Sequence, residues 1–89
     1  MARTLLKGAE AALPTTSGTA TSFSQASAVR LVNDSNQAHL VTVVETQSGS
    51  VVGSMTLPGN SVEIIEKQYS HCVFAADAAV LGAKVGFTA

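Results

Sequence analysis

Charge is what this 89-residue chain has least of: five Lys and Arg and six Asp and Glu make up 12% of it, about half the usual share of roughly 25%. The net charge of −1 argues against a dedicated nucleic-acid binder, which carries a basic face. Tryptophan is absent, and Tyr69, Phe23, Phe74 and Phe87 are the whole aromatic set. With so few basic residues they read as core or interface anchors rather than a base-stacking platform. One cysteine, Cys72, excludes an intramolecular disulfide. Either the protein works in a reducing compartment, or packing and association stabilise it. No apolar run is long enough to span a membrane. Leu5-Leu6 is too short for the apolar region of a signal peptide, so export by that route is not expected.

What is present is β grammar. Hydrophobic residues make up 46% of the chain, enough for one modest core, and the length allows one domain. Val29, Leu31 and Asn33 alternate with Arg30, Val32 and Asp34, ending in the turn formers Asn33–Asn36. Leu40–Thr46 is β-branched on both faces, as in a doubly covered strand. A hairpin turn is predicted at Gln47–Ser50. It is followed by a strand in which Val51, Gly53, Met55 and Leu57 share one face. Pro58-Gly59-Asn60 is a strong turn signal. Val62, Ile64 and Glu66 then alternate with Glu63, Ile65 and Lys67, and a short strand follows at Val73–Ala75. Ala76–Gly82 is a loop or short helical turn, and Ala83, Val85 and Phe87 alternate with Lys84, Gly86 and Thr88 in a last strand.

Strands this close together leave no room for helical crossovers. The expected fold is therefore all-β, a small antiparallel β-sandwich or barrel. Residues 17–89 form the β domain, with Phe23 anchoring the small, polar segment 15–28 into the core. Residues 1–16 form an N-terminal arm, either extended or folded into one or two helical turns. Helices this short are marginal in water.

The chain offers little chemistry. His71-Cys72 with distant His39 falls short of the four ligands of a structural zinc site, and adjacent strand residues point to opposite faces. No third group orients a Cys–His nucleophile. Glu63 and Glu66 lie three apart on one strand, hence on opposite faces, and do not make an acid–base pair; Glu66-Lys67 reads as a polar strand end available for intermolecular ion pairs. Asp77 reads as a turn residue or cap. The glycines form no nucleotide-binding pattern. Asn33-Asp34-Ser35 matches a glycosylation acceptor whose secretory context is lacking. No catalytic residue, metal or cofactor is expected, and the predicted role is non-enzymatic. Candidate partner contacts are Arg3, Leu5, Leu6 and Lys7 in the arm (Arg3–Thr16), Asn33 and Asn36 in the loop Asn33–Gln37, and Gln68 and Tyr69 in the stretch Gln68–Leu81.

The stretch from Ala28 to Thr88 resembles small virion proteins of tailed bacteriophages, those of cyanophages and their relatives in particular. The likeness rests on the Ser/Thr/Gly-rich start, the Val29-Arg30-Leu31-Val32-Asn33 strand, the valine-rich His39–Val44 and the turn and Glu-Lys strand Pro58–Lys67. The closing Lys84-Val85-Gly86-Phe87 completes it. The resemblance implies a capsid decoration (cement) protein, made in the host cytoplasm and bound to the major capsid protein on the phage head surface. Another virion protein is the other partner implied. A neck, tail or fibre-attachment component is the alternative within that class, and a carbohydrate- or receptor-binding β-module, with Tyr69 as stacking residue, lies outside it. Self-association, a trimer for example, is expected; nucleic acid and membrane are not expected partners.

Overall fold

The computed structural model describes residues 3–88; Met1, Ala2 and Ala89, at the ends of the expected arm and domain, lie outside the described residues. The strands are β1 (Arg3–Leu6), β2 (Ala11–Ala12), β3 (Ala28–Asn33), β4 (His39–Val44), β5 (Val51–Leu57), β6 (Val62–Glu66), β7 (Cys72–Ala75) and β8 (Val80–Thr88), with one 3₁₀ turn at Ser17–Thr19. They form two antiparallel sheets. The first has the order β1-β8-β3-β6, with β2 also on β8; the second has the order β5-β4-β7. After β3, every connection except the β4–β5 hairpin passes from one sheet to the other. That is how alternating strands reach a common core.

The core takes Val29, Leu31 and Val80 from the first sheet and Val41, Val73 and Ala75 from the second, with Leu13, Ala26 and Leu57 completing it. Phe23, Val43, Met55 and Ile65 pack against this cluster half-buried. The all-β expectation therefore holds, in a sandwich-like arrangement of two sheets, with Phe23 against the core as its composition suggested. Valine is the commonest residue at the centre, because a branched side chain fits the pleated surface.

Three local expectations are corrected. The N-terminal segment forms no helical turn: it lies extended along the free side of β8, from Arg3 opposite Thr88 to Leu6 opposite Val85, then Ala11 opposite Gly82. Between those points the segment advances five residues while β8 advances three, so Gly8–Glu10 bow outward. Backbone bonds from Lys7 N to Lys84 O (3.0 Å) and Leu13 N to Val80 O (2.9 Å) hold the ends of the bow. A ladder of such bonds, plus burial of Leu13, outweighs the weak propensity of a short isolated helix. Second, Val80–Gly82 belong to β8, not to a loop, leaving only residues 76–79 as the turn, where Asp77 accepts a hydrogen bond from Ala79 N at 2.8 Å. Third, Val51 does not share the face of Gly53, Met55 and Leu57. The register with β4 slips between Val43 and Val44, which sets Val51 opposite Val44 on the other side of the sheet. Such a bulge leaves one extra residue in the strand and reverses the alternation beyond it.

Candidate interaction surfaces

The register of the first sheet sorts its residues into two faces. Val29, Leu31, Asn33, Val80 and Gly82 look inward. The opposite face carries Ala28, Val32, Val62, Ile64, Leu81, Ala83, Val85, Phe87, Leu6 and Ala12. Arg30, Glu66 and Thr4 are its only polar members. A sheet face turned to water is ordinarily polar, because antiparallel strands alternate apolar-in and polar-out. Here Leu6 is 72% exposed, Phe87 52%, Val62 47% and Ile64 38%. Arg30 sits within this face and pairs with Glu10 from the bowed segment at 3.5 Å; at a partly exposed position such a pair contributes little. The result is an apolar face whose exposed members are Leu6 and Phe87 on one side and Val62 and Ile64 on the other, with Ala28, Ala83 and Val85 buried between them.

The reversal on β8 was not legible from alternation alone. Ala83, Val85 and Phe87 project to the outer side, Phe87 exposed and Ala83 and Val85 buried, while Lys84 and Gly86 occupy the inner side. The cause is the loop before β3. A Cβ on Gly82 would lie 2.6 Å from Phe23 Cζ and 2.9 Å from Leu13 Cδ1, so only glycine leaves room for the aromatic ring there.

A second concavity opens along the side of the molecule where both sheets end, at β5 and at β6. It has a volume of about 390 Å³, with Val41, Val43, Met55 and Ile65 forming its apolar wall and Glu66, Gln68 and His71 at its rim. The opposite side is closed, since residues 3–13 run along β8 and the chain then follows β7, through bonds from Ala75 N to Pro14 O (2.9 Å) and between Thr21 and Val73.

At one end of this groove lies a polar node. Phe23, Ser24 and Gln25 have φ of 53°, 55° and 60°, a left-handed turn that costs roughly 1–2 kcal/mol per non-glycine residue. Ala26 N closes it on Ser22 O at 3.0 Å. The Lys67 ammonium donates to Ala26 O (2.7 Å), Ser22 O (3.0 Å) and Gln68 O (3.4 Å), and Lys84 Nζ donates to Ser24 O (3.0 Å). Two cations thus cap the carbonyls of a strained turn. Lys67 is 8% exposed. Burial holds its ammonium below the usual lysine value of 10.5, opposed by Cys72 and assisted by the nearby Lys84. The expected polar strand end is therefore corrected at Lys67, whose charge is engaged inside the molecule; Glu66 remains exposed.

The expected contact residues separate. Arg3, Leu5 and Leu6 lie exposed on the edge strand β1 with Lys7 exposed just after it, Asn36 is exposed in the β3–β4 loop, Gln68 is exposed at the groove and Tyr69 is exposed next to it in sequence. Asn33 is corrected: it is fully buried, its Nδ2 donates to Gln37 O (2.7 Å) and Leu57 O (2.9 Å), and its Oδ1 accepts from Ser35 Oγ (2.8 Å). With every bond made internally it is neither a partner contact nor a glycosylation acceptor. Cys72 is buried beside Val44 and Ala20, with His71 at the groove rim. Among the described residues, no three His, Cys, Asp or Glu side chains gather as a metal set, and no helix is long and apolar enough to cross a membrane.

Comparison with protein-family models, curated proteins and solved structures finds no match for this chain.

Proposed function

We propose that this protein is a non-enzymatic assembly module of a bacteriophage virion, a decoration protein that lies on the major capsid protein lattice and reinforces the head. The observation that carries this reading is the set of exposed apolar side chains Val62, Ile64, Phe87 and Leu6 on the outer face of the first sheet. Exposed apolar faces of this kind mark interaction sites. The low overall charge and the resemblance of Ala28–Thr88 to small virion proteins point to a lattice of protein subunits as the surface covered. Many copies on one lattice bind stably even when each contact is weak, provided the geometry lets them engage together.

The test is co-sedimentation of purified protein with mature, undecorated capsids. Wild type pellets with the particles, and Ile64→Ser/Phe87→Ser, which alters only outward-facing side chains, stays in the supernatant. A wild-type protein that fails to pellet, or a double variant that pellets equally well, overturns the reading. Copy number in the assembled virion separates head from tail: hundreds of copies belong to a coat, a dozen or fewer to a neck, tail or fibre attachment.

A further inference from the structure

The first sheet ends in two free edges of opposite charge. β1 begins at Arg3 and is followed directly by Lys7, and β6 carries Glu63 and Glu66; all four are exposed. Among the described residues the one ion pair is Arg30–Glu10, and Lys7, Glu63 and Glu66 have no ion-pair partner there. Because β1 is antiparallel to β8, β8 to β3 and β3 to β6, β1 and β6 run in opposite directions. A second copy in the same orientation therefore brings its β1 antiparallel to the first copy's β6, with the outer faces of the two sheets continuous.

Backbone polarity agrees. Lys7 N bonds Lys84 O, so by the two-residue period the amides and carbonyls of Thr4 and Leu6 point away from β8. On β6, Lys67 N bonds Ser27 O and Ser61 O accepts from Asn33 N, which leaves Val62, Ile64 and Glu66 with their backbone groups directed outward. We propose that copies of this chain associate head to tail by pairing β1 of one copy with β6 of the next, with Leu6 opposite Ile64, Leu5 opposite Ile65 and Lys7 opposite Glu63. In this register the outward-directed groups of Thr4 and Leu6 meet those of Glu66 and Ile64. Leu6 extends the apolar outer face next to Ile64, and Leu5 covers Ile65 at the mouth of the groove. Arg3 falls past the end of β6, opposite Lys67, whose ammonium is turned inward onto the carbonyls of residues 22–26.

Charge selects this pairing over the symmetric ones. Two β1 strands paired about Leu5 set Arg3 against Lys7, and two β6 strands paired about Ile64 bring the two Glu63 side chains diagonally together on one face; like charges placed across a ladder oppose pairing. A head-to-tail contact closes into a ring or continues as a filament, according to the rotation between copies.

The experiment is sedimentation equilibrium of purified wild type, Lys7→Glu and Glu63→Lys, each alone, and of the two variants mixed in equal amounts, with far-UV circular dichroism confirming that every sample is folded. Wild type is expected at a multiple of the 9.0 kDa monomer mass, each variant alone near the monomer, and the mixture assembled again, at the wild-type mass where the closed ring has an even number of copies. The mixture restores opposite charges at both kinds of contact, which neither variant does alone. Wild type that stays at monomer mass up to about millimolar concentration, single reversals that assemble unchanged, or a mixture that stays monomeric would each overturn the proposal. The measurement uses no capsid, so its outcome is separate from that of the capsid-binding test.

Discussion

Replacing Lys67 with methionine removes the ammonium from the left-handed turn while keeping a side chain of similar length. Two short bonds are lost, to Ala26 O at 2.7 Å and Ser22 O at 3.0 Å, with a third, longer contact to Gln68 O at 3.4 Å. Hydrogen bonds from a charged donor contribute about 1.5–3 kcal/mol each, so the gross loss from the two short ones is about 3–6 kcal/mol. Part of that is offset, because the variant no longer buries a cation, and burying one costs several kcal/mol before its bonds are counted. Ser22 O keeps its bond from Ala26 N, whereas Ala26 O is left without the ammonium. The net expectation is a loss of about 2–3 kcal/mol, a fall in Tm of roughly 10–20 °C for a domain of this size. Urea unfolding followed by circular dichroism measures the stability, and hydrogen exchange at the Ala26 amide reports on the turn itself. A variant within about 0.5 kcal/mol of wild type, with the Ala26 amide equally protected, would refute the assignment of Lys67 as the clamp of this turn.

The same residue sets a pH dependence. Burial lowers the folded-state pKa of Lys67 below the 10.5 of the unfolded chain, so between the lowered value and 10.5 the unfolded state binds more protons and stability rises with pH. Wild type should therefore gain stability relative to Lys67→Met as the pH climbs through that window, and a constant difference between them would contradict it. Gly82→Ala drives a methyl group to 2.6 Å from the Phe23 ring; overpacking of this kind costs about 1–3 kcal/mol, read as a lower urea midpoint. Asn33→Ala removes two donated bonds and one accepted bond from a fully buried site, with an expected loss of about 2–3 kcal/mol in the same assay. Ile64→Ser, on the exposed outer face, should change stability by less than about 1 kcal/mol, so loss of capsid binding in the Ile64→Ser/Phe87→Ser variant could be read as loss of the surface.

Much of the fold was legible because it rests on local signals. Val29 and Leu31 against Arg30 and Val32 form a two-residue alternation that one buried face imposes, and Pro58-Gly59-Asn60 turns where its chemistry says it should. Gly59 is required there: a Cβ would sit 2.6 Å from the Asn36 carbonyl carbon, where the β5–β6 turn packs on the β3–β4 loop. The candidate surfaces were less legible. Leu5, Leu6 and Lys7 stood out as exposed contacts, yet the strand edge that gives them a partner depends on the pairing of β1 with β8, about 80 residues away in sequence. Asn33 was misplaced because a polar residue at a strand end looks the same in sequence whether it faces water or anchors a loop from within.

Sequence by itself determined that this chain, poor in charge and with a single cysteine, builds an antiparallel β domain from short strands. Alternation, β-branching and turn residues act over a few positions and are readable there. Only the tertiary structure decided which side of the sheet each apolar stripe takes and how much of it is exposed. Ala83, Val85 and Phe87 alternate as a core stripe would, but Phe23 lies over Gly82 on the inner side and they project to the outer face, where Phe87 is exposed while Ala83 and Val85 are buried. Lys67 likewise reads as a surface charge until the carbonyls of residues 22–26, some forty residues earlier, surround it. Face and partner are set by contacts between distant segments, and these no local pattern encodes.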